Sequence, residues 1–418
     1  MNEIKDKIEK ANKKALDTLL KAEPRWTGIQ KALNCIPGMK PNMILHAGPP
    51  IEFETMVPVQ QKGIIGGVLH SSLATTAEKA KSMIFSREIE LRSANDMFCV
   101  GAGAGIVTPN MVVNICTDAS TGLVGYCIPF EGRNGLGAWG NYDADIERNL
   151  SEIENFFAPV VNDVLIRNGG IELRSLIAKG MQMGDECHTR QIACSQSLVS
   201  AIIPLLFDAG LGSSVVRRIT EMFLATERWF HPLGMAGSMA SIRGIKGLEY
   251  STIVTSIVQN GVQTGLKVAA TGERWFLADA PRMTGEFLSS KWGPDDAVPY
   301  MGDSTVTEVM GMGAFAAAAA PNVLRLRGGG YREAIAQSLE LREICVGINH
   351  NYPIPLLDFT GPGLGIDIRK VLDTGITPIC HGGIISREGG QIGAGAARFP
   401  MQVYVDALYG FADKYGIA

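Results

Sequence analysis

Apolar residues recur at helical spacing in four successive stretches, 150–166, 171–181, 187–207 and 214–230. Short breaks, Asn168-Gly169-Gly170 and Asp208-Ala209-Gly210, separate some of them. This pattern predicts a mostly helical domain over 146–239. On either side the pattern is mixed. Ile4, Ile8, Ala11, Ala15 and Leu19 give the charged stretch 1–21 one apolar face, which predicts an amphipathic surface helix. Prolines break 37–58, and 62–69 is glycine-rich and apolar. A helix is expected over 71–86 and strands over 97–100, 106–116 and 123–129. In the last third, strands are expected at 252–258, 262–269, 275–278 and 376–380. Helices are expected at 306–320 (Ala/Met-rich, stopped by Pro321), 331–345 and 401–415. There is no steady β-α-β rhythm. The pattern therefore predicts an α+β fold, with mixed domains over 1–145 and 240–418 flanking the helical one.

Composition narrows the function classes. Of 418 residues, 46% are hydrophobic and 19% charged, enough to bury a large core. The net charge is −4 with no basic block, which argues against a nucleic-acid partner. No window approaches the ~20 apolar residues of a membrane span, and 1–21 lacks the apolar core of a signal peptide. The eight cysteines are scattered without a Cys-x-x-Cys pair. They read as reduced, mostly buried thiols, and the cytoplasm is the expected compartment.

Two runs concentrate chemistry. Met183-Gly184-Asp185-Glu186-Cys187-His188-Thr189-Arg190 places two carboxylates, an imidazole and a guanidinium within six residues. Structurally, Asp185 can cap a helix and Glu186 can pair with Arg190 at i, i+4. Chemically, Asp185 or Glu186 can orient His188 as an acid or base while Arg190 holds an anion. Metal ligation by Asp185, Glu186 and His188 matches no standard spacing, so neither metal nor cofactor is expected. The second run, Met301-Gly302-Asp303-Ser304-Thr305-Val306-Thr307-Glu308, opens with the same Met-Gly-Asp. Thr305-x-x-Glu308 fits a capping box, with Ser304 as an alternative cap, and leaves Asp303 unexplained. A free helix start there would suit an anion. The two runs are expected to meet at one pocket, with Asp185, Glu186, His188 and Asp303 as its catalytic candidates.

Three glycine loops are candidate anion cradles: Gly101-x-Gly103-x-Gly105, Arg327-Gly328-Gly329-Gly330 and Gln391-Ile392-Gly393-Ala394-Gly395. None is a dinucleotide or P-loop fingerprint, and each can equally be a tight turn. Of six histidines, His46, in the proline-rigid run His46-Ala47-Gly48-Pro49-Pro50-Ile51, and His381, beside Gly382-Gly383, are the loop candidates. His70, His231 and His350 read as structural.

These runs, together with Trp275-Phe276, Gly302-Asp303-Ser304-x-x-x-Glu308-x-x-Gly311-x-Gly313 and Gly390 to Gly395, occur in one order from about His46 to Pro400. In that order they resemble the YlbE-like family, whose members include the AllG-type subunit of oxamate carbamoyltransferase. The resemblance implies carbamoyl transfer between oxalurate (N-carbamoyl-oxamate) and phosphate in anaerobic allantoin breakdown, giving oxamate and carbamoyl phosphate. It implies two partners, an FdrA-like subunit and an AllH-type subunit. The Ser-x-Arg-Thr phosphate loop of the aspartate and ornithine carbamoyltransferases is absent, which implies a different fold from theirs. The resemblance assigns no catalytic roles. From the residues, the anion-binding candidates are His46, Gly48, Gly103, Arg190, Ser304, Glu308, His381, Gln391 and Gly393. A non-catalytic partner subunit and a metal-assisted hydrolase of a ureido acid are the rival readings.

Overall fold

A computed structural model describes residues 2–132 and 134–417. Met1, at the head of the expected first helix, and Arg133, inside the glycine-rich stretch 131–137, lie outside the described residues. The architecture is α+β, as the pattern predicts. A five-stranded sheet runs in the order Cys99–Val100, Val124–Cys127, Val112–Asp118, Pro24–Lys31, Ile171–Glu172, antiparallel except for its first pair. A four-stranded antiparallel sheet runs Phe276–Asp279, Gln263–Val268, Val254–Asn260, Met301–Gly302. A three-stranded antiparallel sheet runs Thr284–Phe287, Gln391–Arg398, Ile379–Ile385. Two pairs complete the set, Met43–His46 with Glu90–Ser93 and Cys345–Ile348 with Gly363–Ile366.

The largest buried apolar cluster draws on all three segments of the chain. It holds Leu19 and Trp26, then Phe157, Phe223 and Phe230, then Phe315, Phe399 and Tyr404. The first helix, Asn2–Lys21, buries Ile8, Ala11, Ala15 and Leu19. Asn12, on the same face, is also buried. Its side-chain amide donates to Thr252 Oγ1 (2.8 Å) and Asp367 Oδ2 (3.0 Å). Seven of the eight cysteines are buried, Cys35 partly so, and all eight are unpaired.

Several expected elements shift, each for a local reason. The glycine-rich stretch 62–69 lies in a helix, Pro58–His70, started by Pro58 at its first turn. Its glycines permit close approach: a Cβ on Gly63 would sit 2.8 Å from Ile106 Cγ1, and one on Gly66 2.7 Å from Tyr142 Cβ. The helix expected to begin at 187 begins at Ile192 and ends at Asp208, so 185–191 is free to form a loop. A further helix, Phe230–Ile242, follows Ser213–Leu224. The expected helix 306–320 is only one turn, Val306–Val309. Gly311 and Gly313 then take positive φ before a 3₁₀ segment, Gly313–Ala319. The stretch 391–395 is part of the central strand of the three-stranded sheet, not a loop. Its glycines let strands close up, since a Cβ on Gly393 would lie 2.6 Å from the Glu286 carbonyl oxygen. Gly328 ends one helical segment in left-handed conformation and Gly330 starts the next, so that loop is a helix junction.

Candidate active site

The loop 184–191 is held by its own acids. Asp185 is not the cap of a helix starting beside it, because the helix begins at Ile192 with Gln191 in the cap position; Asp185 Oδ2 instead reaches across the loop to accept the first-turn amide of Cys194 (2.8 Å). Glu186 is fully buried. Its Oε1 accepts the amides of Arg190 (2.6 Å) and His188 (3.3 Å), which curls the backbone around the carboxylate. The expected Glu186–Arg190 ion pair is therefore not made. Arg190 turns outward, donating from Nε to the Gly184 carbonyl (2.9 Å) and lying 3.6 Å from Asp185 Oδ1.

This curl aims His188 at the second run. His188 Nδ1 lies 2.7 and 2.9 Å from the two oxygens of Glu308. The capping box is not formed: Glu308 gives its carboxylate to His188 instead of the helix start. Glu308 also accepts from the Thr307 hydroxyl (2.9 Å) and the amides of Ala314 (3.2 Å) and His381 (3.3 Å). With Nδ1 carrying the proton toward Glu308, Nε2 is the ring nitrogen left for the cavity. Burial opposes a charged imidazole here. The charge of Glu308 and the hydrogen bond to it outweigh burial, with Glu186 adding, and the net direction is upward.

Behind the pair sits His381. Its Nε2 accepts from the Gln337 side-chain amide (3.0 Å), and that amide also donates to the Ala314 carbonyl (3.0 Å). The proton is thereby assigned to Nδ1, 3.6 Å from Glu186 Oε2, an electrostatic contact longer than a hydrogen bond. Burial would raise the Glu186 carboxyl, but His381, the charge of His188 and the Arg190 amide hold it below its ordinary value. On the other face, the ring of His231 stacks on His188 with centroids 5.3 Å apart. Burial, then the charges of His188 and Arg228, push His231 well down, so it is the neutral member of the stack.

His188 and His231 form one wall of a cavity of about 80 Å³, with Thr189, Arg228, Tyr300 and Ser304. Gly103, Glu131, Trp139 and Gln391 form other walls. At roughly 10–15 Å³ per water centre, it takes a small molecule. Outside it lies an open groove of about 700 Å³ that shares Phe130, Gly132, Thr189 and Arg228 with the cavity and adds Arg190. A cation set could include His188, Glu308 and Cys380, whose ligand atoms lie within 4.8 Å of one another. Tetrahedral zinc ligands stand about 3.4 Å apart, from bonds of ~2.1 Å. The 2.7 Å between His188 and Glu308 is a direct hydrogen bond, so these residues do not fit a metal between them.

The oxamate carbamoyltransferase subunit AllG family model matches residues 89–304. The Escherichia coli K12 protein called oxamate carbamoyltransferase subunit AllG is 32% identical over 415 residues, covering 98% of this chain and 99% of its own length. This chain belongs to the AllG family. An uncharacterised protein of the same organism, YahG, is 33% identical over 416 residues, covering 99% of this chain and 88% of its own length. A crystal structure of a conserved protein of unknown function from Enterococcus faecalis V583 superposes with a TM-score of 0.94 at 32% identity. It covers 98% of this chain and 99% of that one. Among the described residues, no helix is long and apolar enough to cross a membrane.

In this AllG-family chain the two polar runs meet, at His188 and Glu308. Gly103, Ser304 and Gln391 reach the cavity, and Arg190 reaches the groove. Glu186 and His381 stand behind His188. Other candidates do structural work. Asp303 accepts the amides of Gly48 (2.7 Å) and Gly101 (3.1 Å), one on each oxygen, stapling the runs 46–51 and 101–105 to 301–305. His46 is buried, with Nδ1 2.9 Å from the Ala47 carbonyl oxygen, and borders a separate groove. Gly393 is held in its strand ladder. Sequence reasoning missed Glu131, Trp139, Arg228 and Tyr300, and read His231 as structural. Single residues on different elements carry no spacing signal. Only Tyr300, next to Met301, had a cue beside it; His231 lies in the first turn of the helix Phe230–Ile242.

Proposed function

We propose that this chain carries the proton-transfer site of a carbamoyltransferase acting on oxalurate and phosphate, in concert with FdrA-like and AllH-type subunits in the cytoplasm. The reaction belongs to anaerobic allantoin breakdown. The observation that carries this reading is the buried His188–Glu308 pair, of which His188 lines a cavity sized for a small acid. Phosphate attacks the carbamoyl carbon, and the bond from that carbon to the oxamate nitrogen breaks. The phosphate loses one proton and the departing oxamate nitrogen gains one, so charge and protons balance through a single shuttle. His188, oriented by Glu308, is that shuttle through Nε2. Arg228 and Arg190, at the cavity and groove, suit the anionic ends of the substrates. Family membership, with a relative described as a subunit of such an enzyme, supports the reaction class.

The deciding experiment is His188→Ala in the reconstituted complex. Turnover should fall ~10²–10⁴-fold, the usual contribution of a general acid–base group, with the melting transition intact. An unchanged rate would make this chain a non-catalytic partner of the subunit that does the chemistry.

A further inference from the structure

Glu131 is 5% exposed, lines the cavity and takes no part in the proton transfer above. One of its oxygens is fully used: Oε1 accepts the amides of Gly137 and, at 3.1 Å, Ala138. The Glu131 carbonyl accepts from Asn149 Nδ2 (2.7 Å), which fixes the residue's backbone. Glycine at 135 makes room for this side chain, since a Cβ there would stand 2.4 Å from Glu131 Cγ. The second oxygen, Oε2, is buried and has no hydrogen-bond partner. Trp139, which lines the same cavity, has a buried indole N–H that is also without a partner. A buried acceptor and a buried donor left open on two residues that line one cavity are costly unless a ligand completes them.

A primary carboxamide presents the complementary pair, N–H donors and a carbonyl acceptor on one planar group. We propose that Glu131 is a specificity residue for the carbamoyl or carboxamide end of the ligand, accepting its N–H through Oε2 while the Trp139 indole donates to its carbonyl. This rests on the proposed function, because it takes the ligand to be oxamate or its carbamoyl derivative. The contact needs a carboxylate. Burial pushes Glu131 up to about 7, so the contact strengthens as pH rises through neutrality.

The test compares oxamate with oxalate, which replaces the NH₂ by a second carboxylate oxygen and is otherwise nearly the same shape. Binding is measured by calorimetry at pH 8 on the full chain, alone and reconstituted with its partner subunits. Wild type should prefer oxamate by about tenfold or more, the worth of one hydrogen bond to a charged group. Glu131→Gln keeps an acceptor for Gly137 and Ala138 but turns the open atom into a donor, so the preference should collapse or reverse toward oxalate. Trp139→Phe should weaken both ligands without changing their order. If Glu131→Gln does not fold, wild type with N,N-dimethyloxamate serves instead: affinity equal to that for oxamate overturns the proposal. An oxamate preference retained in a folded Glu131→Gln overturns it too, leaving the proposed function intact. A wild type that binds neither ligand, alone or in the complex, overturns both.

Discussion

His188 keeps a charge-favouring environment inside a buried wall, and the carboxylate of Glu308 is chiefly responsible, with Glu186 adding. Take Glu308 away and burial is left largely unopposed, so the imidazole should titrate below its ordinary value instead of above it. Glu308→Gln preserves shape and still offers an oxygen to Nδ1. The expected result is a pH–rate profile of the complex whose limb for the imidazolium moves to lower pH, with a rate loss at pH 8 larger than at pH 6. The sign follows from the direction of the shift: a raised imidazole keeps its proton to higher pH, and lowering it moves the titration limb to lower pH. A profile displaced equally at every pH would mean that Glu308 only shapes the loop. The same logic separates Asp303 from the chemistry. Both its oxygens are engaged by backbone amides, and burial pushes it up to about 7 against those two bonds. It has no open atom with which to meet a substrate.

Among elements, the helix Pro58–His70 illustrates how the site's supporting wall is tied down. At its last residue, His70 bridges Glu147 (2.8 Å) on the helix Ala144–Glu152 and Glu154 (2.9 Å) on the π-helical turn Ile153–Phe157 that follows. Burial opposes the charge, the two glutamates outweigh it, and the imidazole rises to about 9. A histidine raised in the folded state stabilises fully below its unfolded value near 6.5 and loses that contribution as pH rises through 9. The gain is on the order of 2 kcal/mol once the partly exposed Glu147 is discounted for screening. His70→Gln should therefore lower Tm at pH 6 and have little effect at pH 10. An equal drop at both would assign the loss to packing. In the sequence this histidine has no company, because both partners lie more than 75 residues on. Helices without a cluster of glycines, such as Tyr331–Arg342 and Met401–Tyr415, were legible in the sequence. Glycine-rich ones were not. Glycine marks a turn when read alone, whereas in Pro58–His70 and Gln391–Arg398 it marks a close approach between neighbours. The polar density of 183–190 and 301–308 made half the site legible. The far wall, Glu131 and Trp139, was hidden because its chemistry lies in atoms left unpaired, which only the fold reveals.

For the whole molecule, the question is whether the three sequence segments behave as one. One buried apolar cluster joins residues of all three, with members from Ala15 to Ala407. The first helix is fastened to the last third by a buried polar triad: Asn12 donates to Thr252 and Asp367, and Thr252 donates to Asp367 Oδ1 (2.8 Å). Arg369 holds the other side of that carboxylate (2.7 Å). Asn12→Ala removes two donors and leaves a fully buried Asp367 with fewer partners, which costs about 1–3 kcal/mol for unsatisfied buried groups. If the segments 1–145, 146–239 and 240–418 fold together, calorimetry should give one transition, and Asn12→Ala should move all of it to lower temperature. If they are thermodynamically separate domains, wild type should give resolved transitions, and the substitution should shift only those that contain the first helix or its partners. The continuous core favours the first outcome, because no segment can leave without exposing apolar surface of another. It also bears on function, since His188 from the middle segment and Glu308 from the last must hold 2.7 Å apart. Cooperative unfolding would mean that stability lost at the distant Asn12 clamp narrows the temperature range over which that pair exists. The loss of turnover on heating the reconstituted Asn12→Ala complex should then track its melting curve, with the rate below the transition unchanged.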